Sequence, residues 1–190
     1  MKKLSGTSLS GTSITRQRIE NDYYATPIES TQALLANENF YGNIFEPCCG
    51  EGHISEVLKN EGYEVFSNDL INRGYGETFK DFLNDDFGTY DNVITNPPYK
   101  YAKEFIERSL EITKGKVAMF CKIQFLEGVQ RKELFENTPL KTVHVFIRRQ
   151  NPLRNGSEFD ENGKKWASTM CFAWFVWEHC YEGQPNINWI

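Results

Sequence analysis

Between residues 43 and 177 short apolar runs alternate with stretches of helical periodicity, and that alternation restricts the architectures open to the chain. Residues 43–46 read as a short strand ending at Pro47, residues 64–67 as a second and 91–95 as a third. Residues 117–120, 142–147 and 170–177 supply further strands. Helical patterns lie between them. Residues 53–60 place Ile54, Val57 and Leu58 on one face, and residues 102–112 do the same with Phe105, Ile106 and Leu110. A further helix falls near residues 129–135. Ahead of these, Pro27 suits a first helical turn, Glu29 follows it, and Leu34 and Leu35 carry the apolar side of a short helix. Strands alternating with helices predict an α/β fold with a doubly wound, mostly parallel sheet covered on both faces. Ligands of such sheets sit outside the carboxyl ends of the strands, where the strand order reverses.

At 190 residues the chain is the size of one domain. Its 21 Lys and Arg against 26 Asp and Glu leave a net charge of −5, which excludes a protein that coats nucleic acid through net charge alone. An apolar share of 39% is too high for wholesale disorder. The longest aromatic-rich apolar run, residues 171–177, is too short to span a bilayer, and the chain turns polar directly after Met1. Neither a membrane segment nor a signal peptide is therefore expected. Five cysteines without CxxC pairing, beside three histidines, argue against a disulfide scaffold and a zinc ribbon. A metal-free protein of the reducing cytoplasm fits best. Residues 5–14 repeat Ser-Gly-Thr-Ser-Leu as Ser-Gly-Thr-Ser-Ile and cannot bury a core. Residues 1–20 thus read as a flexible tail before a domain at 21–190, although Arg16 and Arg18 would also suit an arm that orders on a polyanion.

Three loops carry the chemistry. Residues 45–52, Phe-Glu-Pro-Cys-Cys-Gly-Glu-Gly, join a strand to a helix, and Gly50 and Gly52 permit a tight turn and close approach of a ligand. A nicotinamide-binding fingerprint would continue to a third glycine, yet Ser55 stands there, and Glu46 and Glu51 are the wrong charge for a pyrophosphate. Acids suit a ligand carrying positive charge, such as the sulfonium and ammonium of S-adenosylmethionine. A tight turn without any ligand would look the same in isolation. Asp69 follows the second strand, 17 residues after Gly52, where a carboxylate can accept from both hydroxyls of a ribose or merely cap a turn.

The third loop is Asn96-Pro97-Pro98-Tyr99, directly after a strand. Two prolines cannot continue a central strand or enter a helix interior, so the chain is held rigid and extended. The Asn96 side chain and the Pro97 carbonyl then face the cleft beside the aromatic Tyr99. Methyl transfer to a planar amino or amide nitrogen needs this set. The lone pair of such a nitrogen is delocalised, and two acceptors for its hydrogens favour a pyramidal form with a freer lone pair. A rigid Pro-Pro turn is the bland alternative.

Together these residues resemble the amino-nitrogen methyltransferases that use S-adenosylmethionine, most closely the DNA adenine-N6 methyltransferases, over nearly the whole chain from Asp22 to Trp177. Residues 22–27 look like their N-terminal motif, which implies that Tyr24 and Thr26 line the methionine end of the cofactor. Residues 46–52 are similar to the glycine-rich cofactor loop, including Pro47, with Glu46 implied to face the ammonium. Asp69 and Leu70 match the ribose-binding segment. Asp81, Phe82 and Leu83 look like the segment at the cofactor adenine, with Asp81 accepting from its amine. Residues 96–99 are the catalytic motif, and its place after the cofactor motifs resembles the gamma arrangement. The resemblance implies a seven-stranded sheet whose last strand runs antiparallel. It also implies that a target adenine leaves its stack, that Tyr99 stacks on it, and that Asn96 and Pro97 accept from its N6 amine. Neither a metal nor a covalent enzyme intermediate is needed. Cys48 and Cys49 read as small buried residues.

The expected last strand leaves little chain for the target-recognition region that this family usually carries. The sizeable candidate is the loop at 148–166, where Arg148, Arg149, Arg154, Lys164 and Lys165 lie near Trp166 and suit phosphate contact with base stacking. Its acids Glu158, Asp160 and Glu161 suit a solvated hairpin instead. Sequence specificity would then be short, loose or supplied by a partner. Methylation of adenine in DNA is the first reading, and RNA adenine or a protein glutamine are the enzymatic alternatives. A glutamine enzyme would be expected to carry a helical substrate domain ahead of residue 22. A non-catalytic subunit should have lost its acids or Asn96, and all are present.

Overall fold

A computed structural model describes residues 23–154, 157, 159, 162–163 and 170–190. The tail expected at 1–20, and the candidate side chains of Arg154, Glu158, Asp160, Glu161, Lys164, Lys165 and Trp166, lie outside the described residues.

Among the described residues nine strands and four α-helices run in the order β1 (Tyr24–Ala25), α1 (Ile28–Leu35), β2 (Ile44–Glu46), α2 (His53–Asn60), β3 (Val65–Ser67), β4 (Asn92–Thr95), α3 (Ala102–Ile112), β5 (Lys116–Lys122), α4 (Val129–Asn137), β6 (Leu140–Val145), β7 (Leu153–Arg154), β8 (Phe172–Glu178) and β9 (Asn186–Trp189). Seven strands form one sheet in the order β3-β2-β4-β5-β8-β6-β9. Pairing is parallel for β3 with β2, β2 with β4, β4 with β5 and β6 with β9, whereas β8 runs antiparallel to both β5 and β6. The chain forms an α/β fold with a mostly parallel seven-stranded sheet, as the alternation predicts.

Period-two alternation on these strands builds two cores. Val117, Met119 and Cys121 of β5 join Phe175 and Trp177 of β8 on one face, under Phe105 and Ile106 of α3 and Leu134 of α4. Ala118 and Phe120 join Trp174 and Val176 on the other, under Leu34 of α1 and Ile54 and Leu58 of α2. The indole nitrogen of Trp174 is buried, and it donates to the Ser30 carbonyl at 2.7 Å, which also ties α1 to the sheet. Pro27 is the N-cap of α1, one residue earlier than a first-turn position.

The strand expected last, residues 170–177, is β8, and it runs antiparallel as the resemblance implies. A further strand not read from the sequence, β9, follows it and pairs parallel with β6 at the edge. The Asn-Ile-Asn-Trp of β9 lacks an apolar run because one side of it carries asparagines, so it does not read as a strand in sequence. A second, two-stranded sheet pairs Tyr24 with Arg154 and Ala25 with Leu153, antiparallel. It docks the segment before α1 onto the segment after β6.

The chain leaves β2 toward β3 on one side and then returns to β4 on the other. The crevice at this reversal is bounded by the loops after β2 and β4, which begin at Pro47 and Asn96.

Candidate functional site at the strand-order reversal

The glycine loop is held by residues far from it in sequence. The Cys49 N–H donates to the Asn68 carbonyl at 2.8 Å, and the Gly50 N–H donates to Asp69 Oδ2 at 2.8 Å. Asn68 is 0% exposed, and its amide donates to the carbonyls of Pro47 and Lys80 while its oxygen accepts from Thr78 and from the Lys80 N–H. One buried side chain thus joins the loops after β2 and β3. Gly50 and Gly52 have φ of +56° and +87°, where a side chain is strained. A Cβ at Gly50 would come within 2.2 Å of the Tyr23 ring, and one at Gly52 within 2.5 Å of the Tyr75 ring.

Two tyrosines therefore pack onto the glycine backbone. The Tyr23 hydroxyl accepts from the Glu51 N–H at 3.1 Å and lies 3.1 Å from His53 Nδ1, with the Arg73 guanidinium 4.7 Å from its ring centroid. Burial pushes its pKa up to about 12. The Tyr75 hydroxyl donates to Glu56 at 2.6 Å, and Lys59 stands over its ring.

The acids expected at the cofactor take different places. Asp69 lies at the end of β3 with its oxygens accepting from the Gly50 and Ile71 N–H groups, and each oxygen retains a lone pair for a further donor. Leu70 points outward, 62% exposed. Glu46 is 1% exposed and accepts a hydrogen bond from the Ser55 hydroxyl, which also bonds to Ser67. Burial pushes its carboxyl up to about 8, so near neutrality it is largely protonated. Glu46 lies in the interior beneath the loop, and Glu51 is the exposed acid beside it. Asp81 caps its own turn, accepting from the Leu83 N–H and the Asn84 amide. Phe82 is 3% exposed and packs against Phe45, Phe87 and Phe105, so its ring belongs to the core. An Asp-Phe pair has no sequence signal that separates those roles. Burial likewise pushes both Cys48 and Cys49 thiols up, consistent with inert packing residues.

The proline loop is organised around Asn96. Its amide nitrogen donates to the Tyr24 carbonyl at 2.8 Å and to Thr26 Oγ1 at 3.1 Å. A carbonyl can only accept, so this network sets the amide with Oδ1 on the opposite side. Pro97 is buried, and Pro98 is extended at φ −60° and ψ 115°. Tyr99 opens a short 3-10 turn, its ring 6.4 Å from that of Tyr24 and 6.0 Å from that of Phe172. The Tyr99 hydroxyl is buried without a hydrogen-bond partner, and burial pushes its pKa well above the usual range, the nearby Asn96 amide offsetting part of the rise. Lys122, at the end of β5, places its ammonium 4.6 Å from the Tyr99 ring centroid. A recess of about 90 Å³ opens beside Tyr99, lined by Lys122, Gln124, Phe125 and Arg131. Residues Asn68, Tyr75 and Lys122 are not marked by any sequence motif, and Tyr23, inside the segment 22–27, carries no signal that separates its role from that of Tyr24. Their roles come from contacts across 10 to 30 residues or more.

No family model matches the chain, and no curated protein matches it. Solved structures do resemble it. A putative RNA methyltransferase from Pyrococcus horikoshii superposes with a TM-score of 0.63 at 14% identity, over 90% of this chain and 95% of that one. Magnesium protoporphyrin IX methyltransferase from Synechocystis, solved with bound S-adenosylmethionine, gives 0.52 at 15%, over 80% and 77%. A modification subunit of a putative type I restriction enzyme from Vibrio vulnificus gives 0.55 at 13% identity, over 86% of this chain. This chain spans less than half of that subunit, 45% of its length. At these identities the likeness is one of fold: the chain has the fold of S-adenosylmethionine-dependent methyltransferases.

Proposed function

We propose that this chain transfers a methyl group from S-adenosylmethionine to the N6 amino group of adenine in DNA, with the target base turned out of its stack. The observation that carries the reading is the Asn96 amide. Both of its hydrogens are taken up by Tyr24 and Thr26, which leaves Oδ1 to accept from an amino group.

The residues present fit the cofactor. The glycine loop turns at positive φ at Gly50 and Gly52 beneath the Tyr23 and Tyr75 rings, Asp69 has lone pairs suited to ribose hydroxyls, and Glu51 is an exposed acid at the same loop. The cofactor supplies an electrophilic methyl on a sulfonium. The chain's own residues do the rest. Asn96 Oδ1 and the Pro97 carbonyl accept the two amino hydrogens and favour a pyramidal nitrogen with an available lone pair. Tyr99 offers its ring to the base, and a base on the Lys122 side would displace that ammonium.

The distribution of charge supports a polyanionic substrate. Glu51, Asp69 and Asp81 follow β2 and β3, whereas Lys100, Lys122, Arg148 and Arg149 follow β4, β5 and β6 at the same end of the sheet. One half of the crevice is acidic and suits a cationic cofactor. The other half is basic and suits phosphates, although the chain as a whole is acidic. The segment 148–166 is proposed as the substrate-contacting loop of a catalytic domain at 21–190. Among the described residues no helix is long and apolar enough to cross a membrane.

The test is transfer of isotopically labelled methyl from S-adenosylmethionine to unmethylated DNA, with RNA and protein in parallel. Digestion and mass analysis should find N6-methyladenine in DNA. Label confined to RNA or to glutamine would move the substrate and refute the DNA reading. Absence of label despite measured cofactor binding would refute the activity of the isolated chain and call for a specificity partner.

A further inference from the structure

Thr26 is 2% exposed and follows directly on the two-residue strand β1. Its hydroxyl oxygen and the Tyr24 carbonyl are the two acceptors of the Asn96 amide nitrogen, at 3.1 and 2.8 Å. The family resemblance makes Thr26 a cofactor contact. The geometry points elsewhere.

We infer that Thr26 is a positioning residue, whose hydroxyl holds the Asn96 amide so that Oδ1 faces the amine to be methylated. The inference rests on the methyl-transfer reading above. An asparagine amide has two nearly isosteric orientations, and only one presents an acceptor to the cleft. The Tyr24 carbonyl alone takes one amide hydrogen and leaves the other to compete for the cleft. With Thr26 taking the second, the amide plane is held at both hydrogens, and rotation about the final torsion would turn Oδ1 onto the Tyr24 carbonyl, acceptor against acceptor, in a part-buried site where such a mismatch is costly. The flipped amide would present hydrogens to the amino group, and donor would face donor.

The same two residues explain why β1 exists at all. Two residues make a poor strand, yet Tyr24 pairs with Arg154 and Ala25 with Leu153 of β7. That pairing fixes the backbone whose Tyr24 carbonyl and Thr26 hydroxyl face Asn96. Pro27, which caps α1 immediately afterwards, restricts Thr26 to an extended conformation. The acceptor pair is thus held from both sides.

The experiment compares Thr26→Val, which keeps the shape and removes the acceptor, with Thr26→Ser, which keeps the oxygen. Three readouts are taken: kcat and KM on DNA, cofactor affinity by calorimetry, and hydrogen exchange of the Asn96 side-chain amide by NMR. T26V should lower kcat about tenfold, the loss of one net hydrogen bond, with cofactor Kd and DNA KM within twofold of wild type. Exchange of the Asn96 amide hydrogens should quicken about tenfold. T26S should restore both. If T26V fails to fold, Thr26→Cys, similar in size with a weakly accepting sulfur, takes its place with the same expectations. Unchanged kcat and unchanged exchange would overturn the inference, as would a weakened cofactor affinity with kcat preserved at saturation. Wild-type protein that methylates nothing would instead overturn the methyl-transfer reading. The amide exchange would still report on Thr26.

Discussion

Asp69 Oδ2 accepts the Gly50 N–H at 2.8 Å, so the carboxylate that ends β3 also shapes the glycine loop that follows β2. The two residues are 19 apart in sequence and meet only because β2 and β3 are neighbours in register, with Glu46 opposite Ser67. Asp69 therefore shapes the loop, and the proposed function gives it ribose recognition as a second task. Replacing it with Ala should weaken S-adenosylmethionine binding by roughly 10- to 100-fold, the scale of a lost charge-assisted hydrogen bond. Titration calorimetry reads this directly. An unchanged affinity would remove Asp69 from the site.

Gly50→Ala tests the close approach of Tyr23. A Cβ at 2.2 Å from that ring, on a residue at φ +56°, forces the ring off the loop. The variant should bind cofactor at least tenfold more weakly while melting within a few degrees of wild type, because the strain of about 1 kcal/mol is local. Wild-type affinity would show that Tyr23 and the loop can separate without consequence.

Asn96→Ala should reduce kcat by about 10²- to 10³-fold, the range for removing one acceptor or donor aimed at the reacting group. Cofactor Kd should change less than threefold. Substantial remaining transfer would refute the role of its Oδ1.

Glu46 links stability to pH. Its carboxyl is raised by burial to about 8 in the folded protein, against 4.5 for a free side chain. Between these values the folded state holds a proton that the unfolded state has released, so this group makes stability fall as pH rises from about 4.5 to 8. Glu46→Gln removes the ionisation and keeps the shape. Wild-type Tm should decline relative to that variant across this window, and parallel Tm curves would contradict the buried, protonated carboxyl.

Glu38 behaves in the opposite sense. It is buried, which opposes ionisation, but His144 at 2.9 Å and Lys116 prevail and hold its pKa at about 2. Lys116 also reaches Glu178, so the ion pairs bridge the loop after α1, β5 and β8. The stability from Glu38 is present above about pH 4.5 and lost as pH falls toward 2. Glu38→Gln should cost about 3 kcal/mol at pH 7 by leaving His144 without its carboxylate and Lys116 with Glu178 alone, a fall in Tm of roughly 10 °C. The difference from wild type should shrink below pH 4, and a constant difference would argue for packing alone.

The elements easiest to read in sequence were those with dense periodic signals. Residues 53–60 and 102–112 are helical to the residue, because Ile54, Val57 and Leu58, and Phe105 and Ile106, mark their buried stripes. Strand positions were legible and their lengths less so: β5 extends to Lys116 and Lys122, whose charged ends hide the boundary, and the polar edge strand β9 carried no signal. The same limit applied at the site. Gly50, Gly52, Asp69 and residues 96–99 stood out because glycine, proline and strand ends restrict the backbone locally.

What the sequence by itself determined is the alternation of β2 to β6 and β8 with α1 to α4, the crevice loops, and the rigidity of Asn96-Pro97-Pro98-Tyr99, all of which follow from backbone preferences and periodicity over a few residues. What only the tertiary structure decided is which polar atom each side chain meets. Glu46 turned to Ser55, Phe82 joined the core, and Asn96 found Tyr24 and Thr26 some 70 residues away. A side chain has several partners of comparable strength within reach of its chemistry, and strand order and register select among them.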